Sequence, residues 1–396
     1  LSYYRSSSHH LLKDTNLHVI FGVTLMAVLG VSTITPVLPQ VAMVFARTPQ
    51  AVAMLIVVFT LPGALFTLIL GVMGDRVGRK KVLVPSLLLF AFAGTACGFA
   101  RDFETLLLLR FLQGAGSGAL GSINVTLLGD LYRGADRAAA IGYNASVLSV
   151  GTGVYPAVGG GLAVLGWYYP FFLPALAIPV ALGVMFLLNN PEPRTMSDMA
   201  TYARETVRSV LRPQVLTLFA ASIVTFILIY GSFLAYFPFW LERSFAASPA
   251  FIGLVMSATS VATAITSFWL GALAYRWGLR TLIKLGFALY AVSLVLIPLA
   301  DSLWQLAAPA LLFGIANGVN IPSILTLLNG YAPSQHRAAF MSLNGMLLRL
   351  GQTLGPLLIG AAVELVGMDG SFLVSAAFAV ATLLLMSPVL RPEVAS

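Results

Sequence analysis

Charge is scarce in this chain: only 9% of its 396 residues are Asp, Glu, Lys or Arg, while 59% are hydrophobic. A soluble globular domain carries about a quarter charged residues, so that class is excluded. A single cysteine, Cys97, rules out an intramolecular disulfide and a thiolate metal cluster; in its apolar run it reads as a small core or lipid-facing residue. The four histidines, His9, His10, His18 and His336, make no metal pair in an apolar stretch. There is no G-x-x-x-x-G-K-[ST] loop for ATP hydrolysis and no nucleophile elbow, so no enzyme, cofactor or metal is expected. No cleavable signal peptide is evident, and the opening L-S-Y-Y-R-S-S-S-H-H reads as processed, truncated or carrying a tag remnant.

What the chain has instead is long apolar runs, with a mean hydropathy of +0.92. A membrane span needs about 20 such residues. Twelve runs qualify, at approximately 17–39, 51–73, 82–100, 105–129, 138–163, 167–189, 215–240, 251–274, 281–300, 304–328, 338–363 and 370–390. An even number puts both termini on one side. With that side cytoplasmic, 17 of the 22 Lys and Arg lie inside; Arg47, Arg101 and Arg243 lie outside, and Arg110 and Arg349 within spans. Positive-inside bias fixes this orientation and explains the net charge of +8 without nucleic acid.

The chain repeats itself at an offset of 200 residues. Gly71-Val-Met-Gly-Asp-Arg-Val-Gly-Arg-Lys80 is answered by Gly271-Ala-Leu-Ala-Tyr-Arg-Trp-Gly-Leu-Arg280. Gly114, Gly118, Arg137, Asn144, Gly151, Pro156 and Gly160 return as Gly314, Gly318, Arg337, Asn344, Gly351, Pro356 and Gly360. Two apolar halves, each with a basic hinge after its second span, are the signature of a two-lobed transporter. The expected divisions are a cytoplasmic segment 1–16, a first lobe 17–189, a linker 190–213, a second lobe 214–390 and a tail 391–396. Within the linker, 197–211 reads either as an amphipathic helix on the membrane surface or as a solvated tether. The external turns at Leu165-Gly166 and Met368-Asp369 leave no room for an external domain.

The segment Gly71 to Lys81 resembles, almost position for position, the loop motif of the major facilitator superfamily, and the resemblance covers the whole chain. It implies an all-α membrane protein of twelve transmembrane helices in two pseudo-symmetric six-helix lobes, working by alternating access as a monomer. In that reading Gly71, Asp75, Arg76, Gly78, Arg79 and Asp130 form a latch on the inner side: Asp75 meets helix N-termini of the opposite lobe and Arg79 pairs with Asp130. Tyr275 replaces the acid in the second copy, so the latch should be asymmetric.

Arg110-Phe-Leu-Gln113-Gly114 matches the family's R-x-x-Q-G motif, which the resemblance associates with proton transfer. An arginine at that depth faces the bundle interior or water, or else snorkels. Gly151-Thr-Gly-Val-Tyr155-Pro156-Ala-Val-Gly159-Gly160 resembles the G-x-x-x-G-P-x-x-G-G pattern of twelve-helix drug/proton antiporters, with Tyr155 where glycine is expected; Gly355 and Pro356 complete a second copy. These residues serve either as a hinge between rocking helices or as generic close packing. Thr35-Pro36-Val-Leu-Pro39-Gln40 matches the P-x-x-P ending of such exporters, and by sequence alone reads equally as no more than a helix end.

Cavity candidates are the polar and aromatic groups within spans: Gln40, Asn124, Tyr155, Tyr230, Tyr236, Trp269, Asn317, Asn320, Arg349 and Gln352, each of which is alternatively interhelical glue. No Asp or Glu falls in the middle of a span, which disfavours lipophilic cations as substrates. The expected function is proton-coupled export of a small organic or amphipathic compound from a bacterial inner membrane, both termini cytoplasmic, with lipids as the other partners. The alternatives are an exchanger or facilitator for an organic anion, metabolite or lipid, and a non-transporting receptor on the same fold.

Overall fold

The computed structural model describes residues 11–189, 212–331 and 337–390, and among them every regular element is helical. The linker and its 197–211 stretch, His9, His10, His336 and the tail lie outside the described residues. Helix α1 (Thr15–Ser32) is capped by Asp14, whose carboxylate accepts from the Asn16 N–H at 2.9 Å. A 3-10 turn at Thr35–Val37 and α2 (Leu38–Val44) carry the chain onward. Pro36 and Pro39 therefore bend this span without ending it, because each sits in a first turn where its missing N–H has no helical partner to lose.

Next come α3 (Pro49–Val77) and α4 (Arg79–Ala96), joined at Gly78, whose φ of 114° suits glycine alone. Helix α5 (Phe103–Leu131) is capped by Asp102, and α6 (Gly134–Ala163) follows. A 3-10 stretch at Tyr169–Leu176, shaped by Pro170 and Pro174, leads into α7 (Ala177–Phe186).

The second half opens with α8 (Pro213–Ile227), a π-helical stretch at Leu228–Tyr236 and α9 (Phe237–Phe245). Helices α10 (Pro249–Phe268) and α11 (Leu270–Trp277) break at Trp269. Gly278, at φ 75°, turns the chain into α12 (Leu279–Leu296), followed by α13 (Leu303–Tyr331) and α14 (Arg337–Met386). Gly367, at φ 77°, divides α14 into 337–366 and 368–386.

Ten of these helical segments are long and apolar enough to cross a membrane. The difference from the twelve expected runs has two sources. One 44-residue segment, Leu343–Met386, holds two of them, and α6 is diluted by glycine, serine and alanine below the apolarity of the others.

The chain forms two compact units, residues 1–47 with 58–195 and residues 48–57 with 196–396. Lipid is as apolar as leucine, so helices in each unit associate through close packing and hydrogen bonds more than through apolar burial. In the second unit Phe233 stacks on Phe313 at 4.6 Å and on Phe237 at 5.0 Å. Such ring pairs contribute about 1 kcal/mol each beyond their buried area.

Candidate functional site

The 71–81 loop places Arg79 at the first turn of α4 between two acids. Its Nη2 lies 3.0 Å from Asp75 Oδ1, and its Nε lies 3.0 Å from Asp130 Oδ2 near the end of α5. The second contact is an ion pair without the directed geometry of a hydrogen bond. Arg79 is 6% exposed and Asp75 63%, so the arginine depends on its acids while Asp75 keeps a wet face. Arg76 is exposed, and a Cβ on Gly71 would meet nothing within 4 Å; Gly74 is the glycine that lies against Ile123 of α5. In the second copy Tyr275 is exposed and Arg280 donates to the Tyr331 hydroxyl at 3.1 Å. At the 200-residue offset Leu279 and Gly330 stand where Arg79 and Asp130 do, and Arg280 answers Lys80, so the acid–arginine–acid arrangement belongs to the first half.

Arg110 is fully buried. Its Nη1 donates to the Gly30 carbonyl of α1 at 2.8 Å and to Gln113 Oε1 at 2.7 Å, and its guanidinium lies 4.3 Å from the centroid of the Phe59 ring. The guanidinium is thus held by a carbonyl, an amide and a π-face. Gly114, one residue on, faces the Phe59 carbonyl with no room for a Cβ, so α3 and α5 meet backbone to backbone beside the charge.

The sequence repeat becomes a repeat of bonds. Thr67 donates to the Gly118 carbonyl at 3.1 Å, and Ser267 to the Gly318 carbonyl at 3.1 Å. Thr24 of α1 donates to Asn144 of α6 at 2.5 Å and accepts from Asn124 of α5; in the second unit Ser222 of α8 donates to Asn344 of α14 at 3.2 Å. The glycine motifs make the same helix pairs touch. Gly151 lies against Leu25 and Val28 of α1, and a Cβ on Gly159 would collide with the Thr33 carbonyl; Pro156 and Gly160 are buried alongside. Gly355 abuts the Ile227 carbonyl and the Gly231 N–H, while Tyr236 donates to the Pro356 carbonyl at 3.2 Å and its hydroxyl touches Gly360.

The remaining candidates are scattered. Asn317 accepts from Tyr290 of α12, and fully buried Asn320 faces Gly286 of the same helix with neither amide atom hydrogen-bonded. Tyr230 stacks on Phe226 at 6.0 Å and is an electrostatic neighbour of half-buried Arg349, which has no carboxylate partner among the described residues. Gln352 and Tyr155 are half-buried, Gln40 has a buried oxygen without a hydrogen-bond partner, and Trp269 is 59% exposed at the α10–α11 break.

Against known proteins, the sequence profile of the Major Facilitator Superfamily matches residues 20–243 and 218–396. The chain belongs to the major facilitator superfamily. It is a multi-pass membrane transporter whose relatives include a class C tetracycline resistance protein of Escherichia coli, 26% identical, with 88% of this chain and 90% of that protein aligned. A bacillibactin exporter of Bacillus subtilis (strain 168) is 25% identical over 88% of this chain and 90% of its own length. The multidrug resistance protein MdtG of Enterobacter lignolyticus (strain SCF1) is 30% identical over 77% and 74%. Among solved structures, a bacterial homolog to the human lysosomal transporter Spinster, inward-facing and occupied, shares the fold with a TM-score of 0.77, 18% identity and 99% coverage of both chains.

Several contacts of this facilitator were not legible beforehand. Phe59 under Arg110 was hidden among 25 phenylalanines. Thr24 and Ser222 stand 198 residues apart, so a comparison held at 200 passes over them. Tyr132, just beyond α5, donates to Asp14 Oδ2 at 2.6 Å and ties the start of α1 to the Asp130 end of α5. Burial, then this bond, push the Tyr132 phenol above its usual pKa.

Proposed function

We propose that this transporter is a proton-coupled exporter of a small organic or amphipathic compound. It works as a monomer by alternating access through twelve spans of a bacterial inner membrane, with both termini cytoplasmic. The observation that carries the reading is Arg110, a charge buried within a span and locked by Gly30 and Gln113 in a stretch that resembles the family's R-x-x-Q-G motif. A fixed positive charge disfavours protonation of any group beside it, so a change in its surroundings changes proton affinity nearby. With no carboxylate in the middle of a span, the proton travels on an acid at a span end or on the substrate. The Asp75–Arg79–Asp130 cluster is the latch that favours one access state. Relatives named for tetracycline resistance, multidrug resistance and bacillibactin export support the outward direction.

A second reading, exchange of an organic anion, is favoured by Arg349, whose half-buried guanidinium has no carboxylate partner among the described residues. Proteoliposomes with an imposed pH gradient, challenged with cationic, neutral and anionic compounds, separate the two. Uphill flux that collapses with the gradient supports proton-coupled export; gradient-independent counterflow of anions alone supports exchange.

A further inference from the structure

The helices α12 and 368–386 enclose an open groove that the transport reading does not use. Its volume is 410 Å³, and it is lined by Ala291, Val292, Val295 and Leu296 on one side and by Leu373, Ala376, Ala377 and Val380 on the other. Ala291 and Ala376 form a buried floor, while Val292 and Leu373 stand 49% and 50% exposed on the rims. Small residues beneath branched ones make a channel in the surface, and every lining side chain is apolar.

One end of this channel is charged. Lys284 lies seven residues before Ala291, about 10 Å along α12 and on the same stripe of the helix. Ser387 stands in the same relation to Val380 on the other wall. The two meet, because the Lys284 ammonium donates to the Ser387 carbonyl at 3.3 Å. That bond uses one of the three ammonium hydrogens, and no carboxylate pairs with Lys284 among the described residues. Arg280, one turn nearer the helix start, is the other basic residue at this end of α12, and its guanidinium donates to the Tyr331 hydroxyl of α13. In the first unit Lys80 similarly donates to the Met185 carbonyl of α7 at 3.4 Å. Capping the end of a helix therefore explains where the Lys284 ammonium sits, but not the apolar channel running away from it.

We propose that this groove holds an acyl chain of an anionic phospholipid, whose phosphate is bound by Lys284. A long chain fits an all-apolar channel in a helix surface that the bilayer bathes. A phosphodiester matches a lysine that pairs with no carboxylate among the described residues. A zwitterionic lipid carries its own ammonium, which the same end repels. The proposal is independent of the transported compound and of coupling.

The test uses full-length purified protein in detergent and counts bound lipid by native mass spectrometry. The probes are dioleoylphosphatidylglycerol, dioleoylphosphatidylcholine and sn-glycerol 3-phosphate. Phosphatidylglycerol should be retained in preference to phosphatidylcholine. Lys284→Gln should lower its affinity about fivefold, the effect of one basic residue on an anionic lipid. Lys284→Arg should retain it, which separates lost charge from a disturbed helix end. Ala376→Trp, which fills the floor, should lower retention of both lipids. Equal retention of the two lipids by the unaltered protein, or unchanged phosphatidylglycerol binding in Lys284→Gln, overturns the proposal. Binding of glycerol phosphate that is lost in Lys284→Gln also overturns it, by making this a site for a soluble phosphate.

Discussion

Arg79 Nε stands 3.0 Å from Asp130 Oδ2, and the same guanidinium reaches Asp75 through Nη2. The two acids are not equivalent, because Asp130 is mostly buried and Asp75 mostly exposed. Asp75→Asn should therefore leave stability within about 0.5 kcal/mol, as exposed pairs do. It should nevertheless impair transport by shifting the balance of access states, read by cross-linking across the inner gate. Arg79→Gln leaves Asp130 without its cation and should cost about 1–3 kcal/mol in thermal unfolding. Wild-type state populations and rates in Asp75→Asn would remove the latch role.

Arg110→Ala should abolish gradient-driven flux while weakening substrate binding far less. Arg110→Lys keeps a charge but loses the planar fork, so it should behave as a partial version of the alanine variant. Affinity measured beside uphill flux decides. Equal loss of both makes Arg110 a substrate ligand, and intact uphill flux takes it out of the mechanism.

Arg349 lies about 11 residues, or about 16 Å, along its helix in a bilayer core about 30 Å thick. Arg349→Gln should weaken binding of an acidic substrate much more than that of a matched neutral analogue. An unchanged ratio between the two affinities would show that this arginine does not select the substrate.

Two glycines of α6 provide a paired test of close packing. Gly159→Ala drives a methyl into the Thr33 carbonyl and should abolish folded protein, or cost several times the few tenths to 1 kcal/mol of ordinary helix propensity. Gly161→Ala, two residues on, meets nothing within 4 Å and should be neutral or stabilising by up to about 1 kcal/mol. Similar unfolding temperatures for the two would dismiss the α1–α6 contact.

Asp102 accepts from the Thr105 N–H at 2.7 Å and its hydroxyl at 2.8 Å, and these bonds hold its carboxyl below the usual range. A depressed folded-state pKa stabilises the fold above the unfolded value, about 4, and that contribution is lost as pH falls through the folded value. Thermal scans between about pH 6 and pH 3 should show a wild-type advantage over Asp102→Ala that shrinks with acid. A constant gap would leave the cap uncharged in effect.

Much of this was written in the chain. Gly78 and Gly278 stand at the two turns, and of the bundle interior, water or snorkelling that the sequence left open for Arg110, its burial selects the first. The interruptions were harder to read: Pro36 looks the same whether a helix stops or resumes, and nothing in Leu228–Tyr236 announces a π-helix. Side-chain direction was hardest, since Asn317 and Asn320 carry the same amide toward a cavity or toward α12, and only packing around Gly286 decides.

In the π-helical stretch each backbone bond reaches one residue further than in an α-helix, so a turn there holds an extra residue. The spacing between the two halves changes across it. Thr24 matches Ser222 at 198 residues before the stretch, and Thr67 matches Ser267 at 200 beyond it. A substitution characterised in α2 therefore cannot be transposed to α9 by adding a fixed number; the wide turn must be counted first.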